Sequence, residues 1–154
     1  MKVRSAAALA LAFASPVIAQ TAAQAPDFSY ATPLPGSWAY GPAADGSQAV
    51  FRDSAGRAQL TIQCTRSQRR ITIAKPASGA APAIFVWSSS QSRSVPATFD
   101  PTLARLNAPL TAFDQLLDAL AFSRGRIAAS VSGGPALVMP VGSEISRVIE
   151  DCRV

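Results

Sequence analysis

Ala58-Gln59-Leu60-Thr61-Ile62-Gln63-Cys64 alternates without a break. Leu60, Ile62 and Cys64 share one face, Gln59, Thr61 and Gln63 the other, and this period of two belongs to a half-buried strand. Cys64 therefore faces inward. A polar turn follows from Arg66 to Arg69, and then Arg70-Ile71-Thr72-Ile73-Ala74-Lys75 alternates again, with Ile71 and Ile73 inward. Two alternating runs about a short polar loop predict a β-hairpin.

Further strands are expected on both sides of it. Ser37-Trp38-Ala39-Tyr40 places its aromatics at i and i+2, Gly41-Pro42 and Asp45-Gly46 mark a turn region, and Gln48 to Arg52 is a second short strand ending at the turn Asp53 to Gly56. After a small-residue loop, Pro76 to Pro82, the apolar run Ile84-Phe85-Val86-Trp87 reads as a strand covered on both faces. Val95 to Phe99 reads as an edge strand because it holds Pro96.

From Pro109 the pattern changes. Asp114 is a helix cap before Leu116, Leu117, Leu120 and Ala121, with Arg124 and Gly125 as the stop. Arg126 to Ser132 and Ala136 to Val141 form a second hairpin about Gly133-Gly134. Ser143 is read as the cap of a last helix, whose Ile145, Val148, Ile149 and Cys152 follow helical spacing. The expected fold is mainly β (α+β): an antiparallel sheet or β-sandwich of seven or eight short strands, one mid-chain helix and a C-terminal helix.

The N-terminus reads differently. Lys2 and Arg4 precede the apolar run Ala6 to Phe13, Pro16 breaks it, and Val17-Ile18-Ala19 ends it with small or compact residues. This is the layout of a secretory signal peptide over residues 1–19, and it is too short for a membrane span. Residues 20–36, rich in Ala, Pro, Thr and Gln, read as a flexible lead-in, leaving 37–154 as one β-rich domain. The expected location is periplasmic or secreted, without a membrane span.

Cys64 and Cys152 are the only cysteines, and both lie in the exported part. An even count in an oxidising compartment predicts a disulfide. Each cysteine falls on the buried face of its own element, so both ends of the bridge point inward. Closing a loop of about 90 residues is worth roughly 4–5 kcal/mol in the chain-entropy model.

Without Lys2 and Arg4, twelve basic residues remain against nine acidic ones, a net +3, and eleven of the twelve are arginine. Histidine is absent, which removes the usual general base and the commonest metal ligand. No Ser-His-Asp or Cys-His arrangement can be built. A Ser–Lys dyad would need Lys75, which is expected to snorkel to solvent, and Asp114 and Asp118 are better used as a cap and a solvated helix position. Glu144, Arg147, Glu150 and Asp151 are expected to pair along the outer face of the last helix. No catalytic residue, cofactor or metal site is expected, and no nucleic-acid partner is expected because stacking aromatics are missing among the basic residues.

The arginines are the candidate binding site. Arg66, Arg69 and Arg70 occupy the first hairpin tip, Arg124 and Arg126 flank Gly125, and Arg153 follows Cys152. A Cys64–Cys152 bridge would bring Arg153 to the Arg66 loop. The expected patch suits an anionic envelope component or an acidic protein surface.

Leu116-Leu117-Asp118-Ala119-Leu120, Ser123-Arg124-Gly125-Arg126 and Ile149-Glu150-Asp151-Cys152-Arg153 resemble stretches of small secreted bacterial proteins of unknown function. More loosely, the order from residue 37 to 153 resembles the invasion-associated locus B family: a strand with a cysteine, a short helix, a hairpin ending in an apolar-Pro step like Met139-Pro140, and a last helix closing on cysteine. The resemblance implies a periplasmic or secreted β-rich protein with a non-enzymatic, envelope- or host-associated role. Because no catalytic constellation can be built from these residues, a binding or inhibitor-type module is expected, with a histidine-free hydrolase using carboxylates, or a purely structural envelope protein, as the alternatives.

Overall fold

Alternation carries the chain into two antiparallel sheets. The computed structural model describes residues 25–132 and 134–154, so the expected signal segment over residues 1–19, residues 20–24 and Gly133 lie outside the described residues. Strands β1 (Gly36–Ala43), β2 (Gly46–Asp53), β3 (Ala58–Thr65), β4 (Arg70–Pro76), β7 (Thr98–Asp100) and β8 (Arg105–Thr111) form a six-stranded sheet in the order β1-β2-β3-β4-β8-β7. The second sheet has the order β10-β9-β5-β6, from β5 (Ala83–Trp87), β6 (Ser92–Pro96), β9 (Arg126–Val131) and β10 (Leu137–Pro140).

The inner face of the larger sheet is built by the residues that alternation selected. Ile62 stands opposite Ile73 and Cys64 opposite Ile71, and all four are buried. Phe51, Leu60, Leu106, Ala108 and Leu110 extend the same apolar surface. Helix α2 (Ser143–Arg153) lies over β1 to β4, helix α1 (Gln115–Ala121) packs against α2, and β5 and β6 cover β8. Ile145, Val148, Ile149 and Cys152 are the buried stripe of α2, as the spacing predicts. Each aliphatic member of that stripe contributes about 1.5–3 kcal/mol relative to an exposed position.

Ten strands are present rather than seven or eight, for two reasons. Strand β8 lies in a stretch where the sequence pattern predicts no element, and its Pro109 opposes Thr72 of β4. β7 covers β8 only from Arg105 to Asn107, so beyond that point the β7 side of β8 is open and tolerates a proline. The run Val95 to Phe99 is two edge strands, β6 on one sheet and β7 on the other, and the chain changes sheet at Pro96-Ala97.

The helix ends also differ from expectation. Asp114 does cap α1, its Oδ1 accepting from the Leu116 amide at 2.9 Å. The helix nevertheless stops at Ala121, ahead of Arg124 and Gly125. Ser123 draws the chain away: its Oγ accepts from the Ser89 amide and donates to the Arg126 carbonyl. Ser143 does not cap α2; Gly142 holds that position with no side-chain cap, and Ser143 is the first helical residue. Glycine fits there because a Cβ on Gly142 would stand 2.7 Å from Trp38 Cδ1.

The segment before β1 has no helix or strand, yet it packs on the outer face of the smaller sheet. Phe28 meets Trp87 edge-on with ring centroids 5.7 Å apart, and Ala31 joins the same small cluster with Phe85, Ala128 and Val138. The Leu34 amide donates to the Val138 carbonyl at 2.8 Å. Both faces of β5 are therefore covered, as its continuous apolar sequence predicts. Among the described residues, no helix is long and apolar enough to cross a membrane.

Candidate functional site

The Cys64–Cys152 disulfide is formed, with Cα atoms 5.5 Å apart, inside the normal range for such bridges. Both cysteines are fully buried. The bridge fastens the last turn of α2 to the end of β3 where the first hairpin turns over, and there the arginines gather.

Arg66 to Gln68 form a single 3-10 turn, and Arg69 closes it in the left-handed region with φ of +46°. The backbone of that turn is held on both sides. The Arg66 amide donates to the Asp45 carbonyl, the Arg69 amide to the Arg66 carbonyl, and the Ala112 amide to the Arg69 carbonyl. The side chains of Arg66, Arg69 and Arg70 are left exposed on this fixed frame. Arg66 Nε reaches the Asp151 carbonyl at 3.3 Å.

Arg153 completes the rim. Its Nε donates to the Ala112 carbonyl at 2.8 Å, its guanidinium pairs with Asp118 at 2.9 Å, and it lies 5.6 Å from the centre of the exposed Phe113 ring. Cys152 Sγ lies 3.4 Å from the Arg70 carbonyl oxygen. Arg66, Arg69, Arg70 and Arg153 thus share one rim through backbone contacts that converge on Ala112, Asp151 and the disulfide. Arg153 is partly neutralised by Asp118, whereas among the described residues Arg66, Arg69 and Arg70 form no ion pair with a carboxylate.

Arg124 and Arg126 keep different company. The Arg124 amide donates to Ser89 Oγ at 2.8 Å, and the Arg126 guanidinium donates to the Ser29 carbonyl. Both follow α1 at the start of β9, and Arg126 alone reaches the N-terminal segment. Among the described residues, no hydrogen bond or ion pair joins them to the Arg66–Arg70 turn.

Asp151 is the buttress of the rim, and its role was not visible in the sequence. Its Oδ2 accepts from the hydroxyls of Tyr40 and Ser47, both at 2.6 Å. The Ser47 hydroxyl first, then the Tyr40 hydroxyl and the charges of Arg66 and Arg147, hold the carboxyl below its ordinary range against the opposing effect of burial. The expected ion pairs among Glu144, Arg147, Glu150 and Asp151 do not form among the described residues. Arg147 instead lies over the Tyr40 ring, 3.9 Å from its centre, while Asp151 turns to β1 and β2. A shallow groove of about 480 Å³ runs beside α2, lined by Tyr40, Ser143, Glu144, Ser146, Arg147 and Glu150.

Chemically, the rim offers planar guanidinium forks on a rigid backbone, suited to carboxylate, phosphate or sulfate groups. Among known proteins, no family model, no curated protein and no solved structure matches the chain.

Proposed function

We propose that this chain is an exported, non-enzymatic binding module of the bacterial envelope, acting on an anionic envelope component or an acidic protein surface through the rim of Arg66, Arg69, Arg70 and Arg153. One observation carries the reading: Arg66, Arg69 and Arg70 stand exposed on a turn whose backbone is pinned to Asp45 and Ala112 beside a buried disulfide. Side chains that project from a fixed frame lose little backbone entropy on binding, so their charge is available to a partner. The internal disulfide suits an oxidising compartment, which the N-terminal signal layout would supply. Likeness to the invasion-associated locus B family belongs to the same proposal, as does the envelope- or host-associated role it implies.

The test is retention on a heparin resin and on phosphatidylglycerol vesicles. Replacing Arg66, Arg69 and Arg70 by serine is expected to move elution to clearly lower salt, because exposed charge attraction is screened beyond about 8 Å at physiological ionic strength. Replacing Arg124 and Arg126 is expected to change retention less. Unchanged retention in the triple variant overturns the proposal.

The groove beside α2 favours a second reading, because it places Glu144 and Glu150 in one concavity. In that reading the chain is a histidine-free hydrolase using two carboxylates. Turnover of chromogenic glycosides that disappears in both Glu144→Gln and Glu150→Gln would favour it over a binding module.

A further inference from the structure

Lys75 is the one lysine that follows the signal segment, and the fold treats it unlike a surface lysine. It continues the inner-face alternation of Ile71 and Ile73, which are fully buried, and it stands opposite the buried Leu106 of β8. Its side chain therefore enters the space between the two sheets at the end of β4 rather than the outer solvent face. There the loop after β4 and the β9–β10 hairpin enclose a cleft of about 490 Å³, whose lining includes Lys75, Ala77, Ser78, Ala81, Val131 and Pro135. Ala77, Ala81 and Val131 are at the same time packed against the main core, so the floor of the cleft is the edge of that core.

No acidic side chain lines this cleft, and among the described residues no hydrogen bond or ion pair reaches the Lys75 amine. Burial draws the amine below the ordinary lysine range. A half-desolvated ammonium facing a void without a counter-charge is an unfavourable arrangement that an anion would relieve. The volume falls within the usual range of about 300–1,000 Å³ for small-molecule sites, which combine apolar walls with a few polar groups. One ammonium with the two serines of the lining, Ser78 and Ser132, supplies a single charge, which matches a single carboxylate. A phosphate dianion usually takes several charged or backbone donors beside a lysine, whereas this lining has one cation, no arginine, and otherwise small residues, alanine, valine and proline.

We infer that the cleft between the β4–β5 loop and the β9–β10 hairpin is a binding site for a small amphipathic carboxylic acid, its carboxylate on Lys75 and its apolar body against Ala81, Val131 and Pro135. The site is separate from the arginine rim and does not depend on that reading.

The experiment is a titration of the ¹⁵N-labelled full chain with hexanoate, followed by amide shifts, with hexan-1-ol and inorganic phosphate as parallel probes. Hexanoate is expected to shift Ala77, Ser78 and Val131 saturably. Hexan-1-ol should bind about tenfold or more weaker, which is the loss of one charge-assisted contact of about 1.4 kcal/mol or more. Phosphate should leave these amides in place. Lys75→Met, which keeps the stem and removes the charge, should weaken hexanoate by a similar factor. Absence of saturable shifts, equal binding of hexanoate and hexan-1-ol, or a phosphate response matching that of hexanoate would each overturn the inference. So would undiminished hexanoate binding in a folded Lys75→Met protein. If that variant does not fold, the three probes on the unsubstituted chain still decide the matter.

Discussion

Gly46 lies against the Cys64 half of the disulfide: a Cβ added at Gly46 would stand 2.7 Å from the Cys64 carbonyl oxygen and 3.2 Å from its Sγ. Gly46 also has φ of +137°, a conformation that residues with a side chain rarely adopt. Gly46→Ala is therefore expected to destabilise the fold by at least about 1–3 kcal/mol from backbone strain alone. Urea unfolding of the two proteins checks this. An unchanged midpoint would mean that the β1–β2 turn can move away from the bridge.

Removing the bridge itself should be more severe. Cys64→Ser or Cys152→Ser is expected to cost about 2–5 kcal/mol, the usual loss when a native disulfide is removed from a small domain. The double variant should resemble either single one, since each leaves the same bond unmade. Thiol titration of the native, unreduced protein should find no free cysteine, in agreement with the formed bond.

Two carboxylates make stability depend on acid. Asp53 is held below its ordinary pKa chiefly by the Arg57 amide, then by the Arg57 and Gln59 side chains, and Asp151 by the Ser47 and Tyr40 hydroxyls. Because both folded values are depressed, their contribution is present above the unfolded carboxylate pKa of about 3.9. It is lost as pH falls through the lower folded values. Urea midpoints should therefore drop on acidification below about pH 4, and Asp151→Asn should be less stable at neutral pH with a flatter acid limb.

Asp114 performs two tasks at the start of α1. It caps the helix through Leu116 and binds the Arg93 guanidinium at 2.7 Å. Asp114→Ala should cost about 1 kcal/mol for the cap, with little added by a partly exposed ion pair. Asp114→Asn, which keeps the cap and loses the charge, should recover most of the loss. Thermal unfolding of the three proteins separates the two contributions.

Phe28→Ala tests whether the N-terminal segment is part of the folded unit. Loss of the edge-on contact with Trp87 should cost about 0.5–1.5 kcal/mol beyond the lost burial. It should also shift tryptophan emission to the red, because Trp87 gains access to water. Emission identical to that of the unsubstituted chain would show that the contact does not persist in solution.

What was legible in the sequence followed strict periodicity. The β3–β4 hairpin and the buried stripe of α2 show their periods of two and of helical spacing directly, and together they aim Cys64 and Cys152 at one another. Strand β8 carried its own signal in Leu106, Ala108 and Leu110, but Pro109 and the approaching helix hid it. The proline reads as a strand breaker until the one-sided cover by β7 is known. For the site, the sequence indicated that the disulfide would bring Arg153 to the Arg66 turn. It could not separate Arg124 and Arg126, because their position depends on which sheet β9 joins. The turn of Asp151 towards Tyr40 and Ser47 was equally hidden, since those partners lie more than a hundred residues away along the chain.

The bond from the Leu34 amide to the Val138 carbonyl has a consequence for the protein in a crowded compartment. β10 is an outermost strand of the smaller sheet, and an unpaired strand border is a template on which another chain can polymerise. Leu34 occupies one position of that border, and Phe28 and Ala31 shield Trp87 and Phe85 on the adjoining face. Proteolytic trimming as far as Leu34 would uncover a sticky apolar strip and a hydrogen-bonding seam together. A product trimmed past Leu34 should therefore aggregate at concentrations where the longer chain stays dispersed.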